Sequence, residues 1–257
     1  MDLNELLIKK EKVRNLRPID DVFFEVLAKN KEVDEEILRT ILEEPDLIVV
    51  DSIVQSSESN LFGRSVRLDA LCELGDGTLC NIEVQRSDND NHLKRARYNA
   101  SAITFKKSNP GEKFDDVREV YIVFISEFDV FHEGKTIYHI EKVISETGTA
   151  VDDGLHEIFV NAAIDDKSDI AELMSCFIKK EVNNKKFPKL SKEVYELKNT
   201  KGGLKAMCSV MEELIAEERI SAIQNMLKEN LSKELIKRLK YSEEEIQKAE
   251  EALLLKV

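Results

Sequence analysis

RLDALCELGDGTLCNIEVQRSDNDNHLKRARYNASAITF, residues 67–105, reads as strand, tight turn, strand and helix, and the rest of the chain is arranged around it. Gly75-Asp76-Gly77 suits a short hairpin loop that needs positive φ. A loop centred on Asp76 pairs residues whose numbers sum to 152, which sets Asp69 opposite Glu83. Side chains alternate along a strand, so Arg67, Asp69 and Leu71 share one face, with Asn81, Glu83 and Gln85 on the partner strand. Opposed Cβ atoms lie about 4.5–5.5 Å apart, where two carboxylates repel and weaken the sheet. Two readings follow: a hairpin with a polar outer face in water, or two acids holding a cation between them. Oxygen ligands at that spacing suit Mg²⁺ or Mn²⁺. A one-residue slip would send every side chain of one strand to the other face. The flanks favour the cation, because Ile82 and Val84 supply an apolar opposite face and a helix rich in Lys and Arg follows at once.

Composition narrows the class. With 257 residues, 42% hydrophobic and 35% charged, the chain can form one large domain or a domain with a helical extension. No apolar run approaches the roughly 20 residues of a membrane span. The opening MDLNELLIKKEKVRNLR lacks a signal peptide's apolar region, so a cytoplasmic protein with no membrane partner is expected. Cys72, Cys80, Cys176 and Cys208 form no CxxC pair, and the four His show no ligand spacing, which argues against zinc. Cys72 and Cys80 also sum to 152, but buried free thiols are expected of a cytosolic chain. A net charge of −13 argues against broad affinity for nucleic acid. Locally the sign reverses: from His92 to Lys107 there are five basic residues, Lys94, Arg95, Arg97, Lys106 and Lys107, and no acid.

Periodicity predicts helices over Pro18–Ala28 and Glu32–Leu42, a first strand over Leu47–Gln55, and a loop over 56–64 before the hairpin opens at Ser65 or Val66. SDNDN at 87–91 offers N-caps for a helix over His92–Lys107, with Leu93, Ala96, Ala100 and Ile103 on one stripe. Asn109-Pro110-Gly111 ends it. Glu119–Ser126 reads as a strand buried on both faces. Thr136–Lys142 and His156–Ala162 read as peripheral strands. Helices are predicted over Asp169–Val182, Lys192–Leu197 and Leu204–Glu229, then two short ones joined at Tyr241-Ser242, where Ser242 and Glu245 form a capping box. The fold class is α/β: an αβββαβ core with a central mixed sheet and a helical C-terminal extension. The expected organisation is an arm or helix over 1–15, a main domain over 16–165, and a helical region over 166–257 that packs on the core or mediates oligomerisation.

This order of elements, with an acid on the second strand and Glu-x-Gln on the third, resembles the PD-(D/E)xK nuclease superfamily, and within it the recombination-promoting nuclease or transposase family. The residues that carry the resemblance are Arg67-Leu68-Asp69, Glu83-Val84-Gln85-Arg86, Ser87-Asp88 and Arg95-Ala96-Arg97-Tyr98. Asp20-Asp21-Val22-Phe23, the strand Val120–Ile125 with Asp129-Val130-Phe131, and Gly202-Gly203 with Met207-Cys208 are similar to further family motifs. The likeness spans roughly residues 16–215 as an ordered series, which is more specific than any one motif.

The resemblance implies a restriction-endonuclease-like fold and a Mg²⁺-dependent (or Mn²⁺-dependent) DNA endonuclease linked to recombination or transposon-like elements. Asp69, Glu83 and the Val84 carbonyl are carried over as metal ligands, and Gln85 takes the catalytic position where the superfamily has lysine. Arg67, Arg86, Lys94, Arg95, Arg97 and Tyr98 are the expected DNA contacts, with Arg95 or Arg97 able to supply the charge that Gln85 lacks. Double-strand cutting needs two sites, so a homodimer is consistent with the family. The chain departs from the family pattern at Phe24, where a lysine is usual, and at Asn99, where a second tyrosine is usual. The second reading of the same motifs is therefore a catalytically inactive module of this fold acting in DNA or protein binding. An enzyme of another class finds no support, since P-loop, GxGxxG and nucleophile-elbow motifs are all missing.

Overall fold

The computed structural model describes residues 3–58 and 66–254, with side chains described for 9–54 and 67–253. Three helices lead the chain: α1 (Leu3–Asn15), α2 (Asp21–Leu27) and α3 (Lys31–Ile41). Strands β1 (Val49–Glu58), β2 (Val66–Leu74) and β3 (Leu79–Gln85) follow, then α4 (His92–Lys107) and β4 (Val120–Ser126). Next come β5 (Ile137–Ile140), β6 (Lys142–Ile144), β7 (Thr149–Val151) and β8 (Leu155–Asn161). Helices α5 (Asp169–Phe177), α6 (Pro188–Asn199), α7 (Lys201–Lys228), α8 (Lys233–Arg238) and α9 (Glu243–Leu254) complete it. The chain divides into two compact units, Met1–Ala206 and Met207–Val257, with the division inside α7.

The first unit is built on a mixed six-stranded sheet of order β1-β2-β3-β4-β8-β5. β1, β2 and β3 form an antiparallel meander, β3–β4 and β4–β8 are parallel, and β5 returns antiparallel on β8. β3 and β4 are the central strands and are buried along nearly their whole length; β4 is almost entirely apolar, whereas β3 alternates apolar residues with Asn81, Glu83 and Gln85. Ile82, Val84, Ile122, Val123, Phe124 and Ile125 are all buried. On one face α4 brings Ala96, Ala100 and Ile103 against Leu71, Ile122 and Phe124. On the other, the strongly amphipathic α3 buries Val33, Ile37, Leu38 and Ile41. The α/β class and the αβββαβ core are as read from the sequence.

Several boundaries differ, each for a local reason. Pro18–Asp20 form a turn, and α2 begins at Asp21. Asp20 holds the N-cap position, yet its carboxylate accepts from the Arg17 N–H (2.6 Å) instead of a helical one. β1 runs to Glu58, into the expected loop, and the remainder of that loop lies outside the described residues. Helix α5 stops at Phe177 rather than Val182, because the Phe177 carbonyl is taken by the N–H of Ile19 (3.1 Å). Helix α6 starts four residues earlier than expected, with Pro188 in its first turn, where the missing N–H costs nothing. On α4 it is His92 that turns inward, between Phe124 (5.3 Å) and Phe128 (5.0 Å), while Leu93 is 45% exposed. The β6–β7 hairpin was not predicted at all.

Within the second unit, Ile223, Ile236, Ile246 and Ala249 form a small core. The expected capping box is present: Glu245 N donates to Ser242 Oγ (3.2 Å) and Ser242 N donates to Glu245 Oε2 (2.6 Å).

Candidate active site

The hairpin turn behaves as its sequence demands. Gly77 adopts φ +94°, and the Asp76 carboxylate accepts from the Thr78 N–H (2.9 Å). The register is the expected one: Cys72 faces Cys80, Leu71 faces Asn81 and Ala70 faces Ile82. Cys72 and Cys80 are buried and unbridged, and burial pushes both above the ordinary thiol range.

Backbone pairing between β2 and β3 ends at Ala70 and Ile82, one step short of the two acids. There the carboxylates replace the ladder. Val84 N donates to Asp69 Oδ2 (3.0 Å), and Asp69 N lies 3.3 Å from Glu83 Oε1. Each acid thus receives an N–H of the opposing strand, so the strands part while their amides stay satisfied. Carbonyls alternate sides along a strand. The Gln85 carbonyl accepts from Glu127 N on the β4 side, so the Val84 carbonyl points to the β2 side, into the gap where the ladder has stopped.

Glu83 forms the floor, fully buried. Its Oε1 also accepts from Asn81 Nδ2 (2.9 Å) and its Oε2 from Arg95 Nη2 (2.8 Å). Asp69 and Gln85 are half-buried, which leaves the site open to solvent on their side. Burial, then the charge of Glu83, hold the Asp69 carboxyl well above the usual carboxylate range. Burial raises Glu83 as well, against the pull of Arg95 and the Asn81 amide. Two acids that both resist ionisation in one cleft are what a divalent cation relieves. The donors are two carboxylates and a carbonyl, all oxygen, which fits Mg²⁺ or Mn²⁺. Among the described residues no group of three His, Cys, Asp or Glu side chains is placed to hold a metal ion, and this cleft offers two such side chains and a backbone carbonyl.

Around this floor, Arg95 reaches from the first turn of α4 and bridges Glu83 to Gln85, with Nη1 2.8 Å from Gln85 Oε1. Arg86 pairs with Asp20 (3.0 Å) and lies 3.5 Å from Glu127, while Arg17 donates to Glu127 Oε2 (2.9 Å). This network ties the start of α2 to the ends of β3 and β4. It sets Asp21 where Arg95 and Arg86 pull its carboxyl down against the larger effect of burial, which raises it. Arg67 lies exposed at the start of β2. Lys94 and Arg97 are exposed on α4, and Tyr98 is 38% exposed beside them. Phe24 lies inside the core, its ring 6.3 Å from that of Phe177, and Asn99 is buried with no partner for its Nδ2 among the described residues.

The residues brought together are thus Asp69, Glu83, Val84, Gln85 and Arg95. Sequence reasoning did not single out Asn81, whose amide holds the Glu83 carboxylate, although alternation had put it on the Glu83 face. Arg95 and Arg97 were both expected to be able to supply charge here, and it is Arg95 that turns inward, a choice between them for which the sequence held no signal.

A family model described as PD-(D/E)XK nuclease family transposase matches residues 19–252. The chain belongs to this family. As a member it carries a nuclease-type, transposase-related fold and function, for which DNA is the implied substrate. No curated protein matches the chain, and no solved structure does. Among the described residues no helix is long and apolar enough to cross a membrane.

Proposed function

We propose that this family member is a metal-dependent DNA endonuclease whose ion is held by Asp69, Glu83 and the Val84 carbonyl. The observation that carries the reading is the parting of β2 from β3 just where the two acids face each other, with Glu83 fully buried and Asp69 half-buried. When bound there, Mg²⁺ or Mn²⁺ lowers the pKa of a coordinated water and neutralises charge building on the phosphodiester. The protein's own part is positional. Asn81 and the Asp69 N–H fix the rotamer of Glu83, and the Val84 N–H fixes Asp69. Gln85 is anchored through Nε2 on the Ser87 carbonyl (3.0 Å) and orients water as a neutral group. Lys94, Arg97 and Tyr98 on α4, with Arg67 at the mouth of the hairpin, face the DNA backbone. This local basic surface overcomes the repulsion of a chain whose net charge is −13. Arg86, already paired with Asp20, is a weaker contact. Two copies acting together would cut both strands, with the protein in the cytoplasm and the helical region after residue 165 as the assembly element.

The deciding experiment is nicking of supercoiled plasmid with Mg²⁺ or Mn²⁺ by the wild type, Asp69→Ala and Glu83→Ala. Metal-dependent nicking lost in both variants is expected. A folded wild type that leaves the plasmid intact with either metal rejects the proposal and leaves the inactive DNA- or protein-binding module.

A further inference from the structure

We propose that Arg95 carries the positive charge of this active site, displaced from strand β3 to helix α4, and that Gln85 is the residue that holds it in place. The inference rests on the nuclease reading above and assigns the role that Gln85, being neutral, leaves open.

The orientation of the Gln85 amide is fixed from one end. Its Nε2 donates to the Ser87 carbonyl at 3.0 Å, which leaves Oε1 to accept, and what it accepts is Arg95 Nη1 at 2.8 Å. The second arm of the same guanidinium donates to Glu83 Oε2 at 2.8 Å. A planar fork spanning a carboxylate and an amide oxygen two residues apart on one strand face is held by geometry as well as charge. A lysine at 85 would set an ammonium against that guanidinium, whereas a neutral acceptor clamps it. The glutamine is therefore the complement of an arginine that approaches from α4. Glu83 is fully buried, and a buried carboxylate without a counter-charge is strongly destabilising. Arg95 is that counter-charge when no metal ion is bound, and it occupies the oxygen a metal ion would share.

Two consequences run in opposite directions, which separates this role from a merely structural one. Removing Arg95 leaves Glu83 and Asp69 more exposed to each other, so a divalent ion binds more tightly. The same removal takes away the charge beside the reacting phosphate, so cleavage slows. A residue that only props up the site would weaken both.

The test uses the full-length wild type, Arg95→Ala, Gln85→Lys and the double variant, with Mn²⁺ affinity by calorimetry, plasmid nicking and thermal melting. Arg95→Ala is expected to bind Mn²⁺ several-fold more tightly while nicking about tenfold more slowly or worse. Gln85→Lys is expected to melt lower and nick less, and adding Arg95→Ala to it to restore both at least in part, because the lysine then holds the charge alone. If Arg95→Ala does not fold, Arg95→Gln keeps a donor for Glu83 without the charge and answers the same question. Equal or weaker Mn²⁺ binding in the folded Arg95 variant, or losses in the double variant that simply add, overturn the proposal. A wild type that neither binds Mn²⁺ nor nicks overturns the nuclease reading itself; one that does both, beside an Arg95 variant that binds less tightly, overturns this role alone.

Discussion

Two acids lie against opposite faces of β2, Asp69 of the strand itself and Asp34 of α3, and their settings differ in almost everything. Toward α4, Asp69 meets a second acid, a guanidinium two hydrogen bonds deep in the same cleft, and an opening to solvent. Toward α3, Asp34 is fully buried with Ser52 Oγ at 2.6 Å and Cys72 Sγ at 3.8 Å, and its Oδ1 has no partner among the described residues. Burial pushes Asp34 up to about 7, against only the two weak donors. Both acids resist ionisation, but only the first faces a second acid across a gap between strands and is partly exposed to solvent. Burial of a carboxylate therefore does not by itself mark a functional site; a second acid, an oxygen-only gap and a route to solvent do.

The largest effect should separate the two acids in activity. Asp69→Ala or Glu83→Ala should lower metal-dependent nicking by about a thousandfold or more, roughly 4 kcal/mol of barrier, whereas Asp34→Asn should stay within about threefold of wild type. Comparable losses at Asp34 would erase the distinction.

Next in size is a dependence of stability on pH. Asp34 titrates near 7 when folded and near 4 when unfolded. Below about 4 it is protonated in both states; as pH rises toward 7 the unfolded chain releases a proton that the folded one keeps. Stability therefore falls over that window, by at most about 4 kcal/mol. Asp34→Asn should remove this slope and raise the urea midpoint at pH 8 while leaving it unchanged at pH 4. Parallel pH profiles for the two proteins would count against a buried, poorly compensated acid.

Smaller still is the response to metal. Mn²⁺ at about ten times its dissociation constant should stabilise the wild type and Asp34→Asn by about 1.4 kcal/mol, a few degrees of melting temperature, and should leave Glu83→Gln unmoved. An equal shift in all three would place the ion elsewhere. The smallest effect belongs to Ser52→Ala, which should cost about 1 kcal/mol near neutral pH and move the Asp34 titration upward; a downward move would mean that Ser52 does not stabilise the carboxylate.

What the sequence revealed follows the same division. The register of Asp69 on Glu83 was legible because Gly75-Asp76-Gly77 admits few loops and Ile82 and Val84 fix which face is buried. Both ends of α4 were legible from the cap at Asn91 and the break at Asn109-Pro110-Gly111. The β6–β7 hairpin was not, since Val143, Ile144 and Val151 are all exposed and leave no in–out pattern to read. Asp34 was hidden for the opposite reason: an acid among Val33, Ile37 and Leu38 on an amphipathic helix reads as part of the polar face, and only packing shows that it lies inside. Arg95 needed the structure because a long side chain can turn either way, and its direction is set by Glu83 and Gln85 on another element.

The chain's turn from α6 into α7 has a consequence for heredity. A Cβ at Gly203 would lie 2.3 Å from the Glu196 carbonyl oxygen and 2.5 Å from the Leu197 Cα, backbone atoms that cannot yield, while at Gly202 the nearest atom is 4.0 Å away. Of two adjacent glycines, one is exchangeable and the other is not. In a saturation library selected for folded protein, codon 202 should drift freely toward alanine and serine, while codon 203 should retain glycine alone.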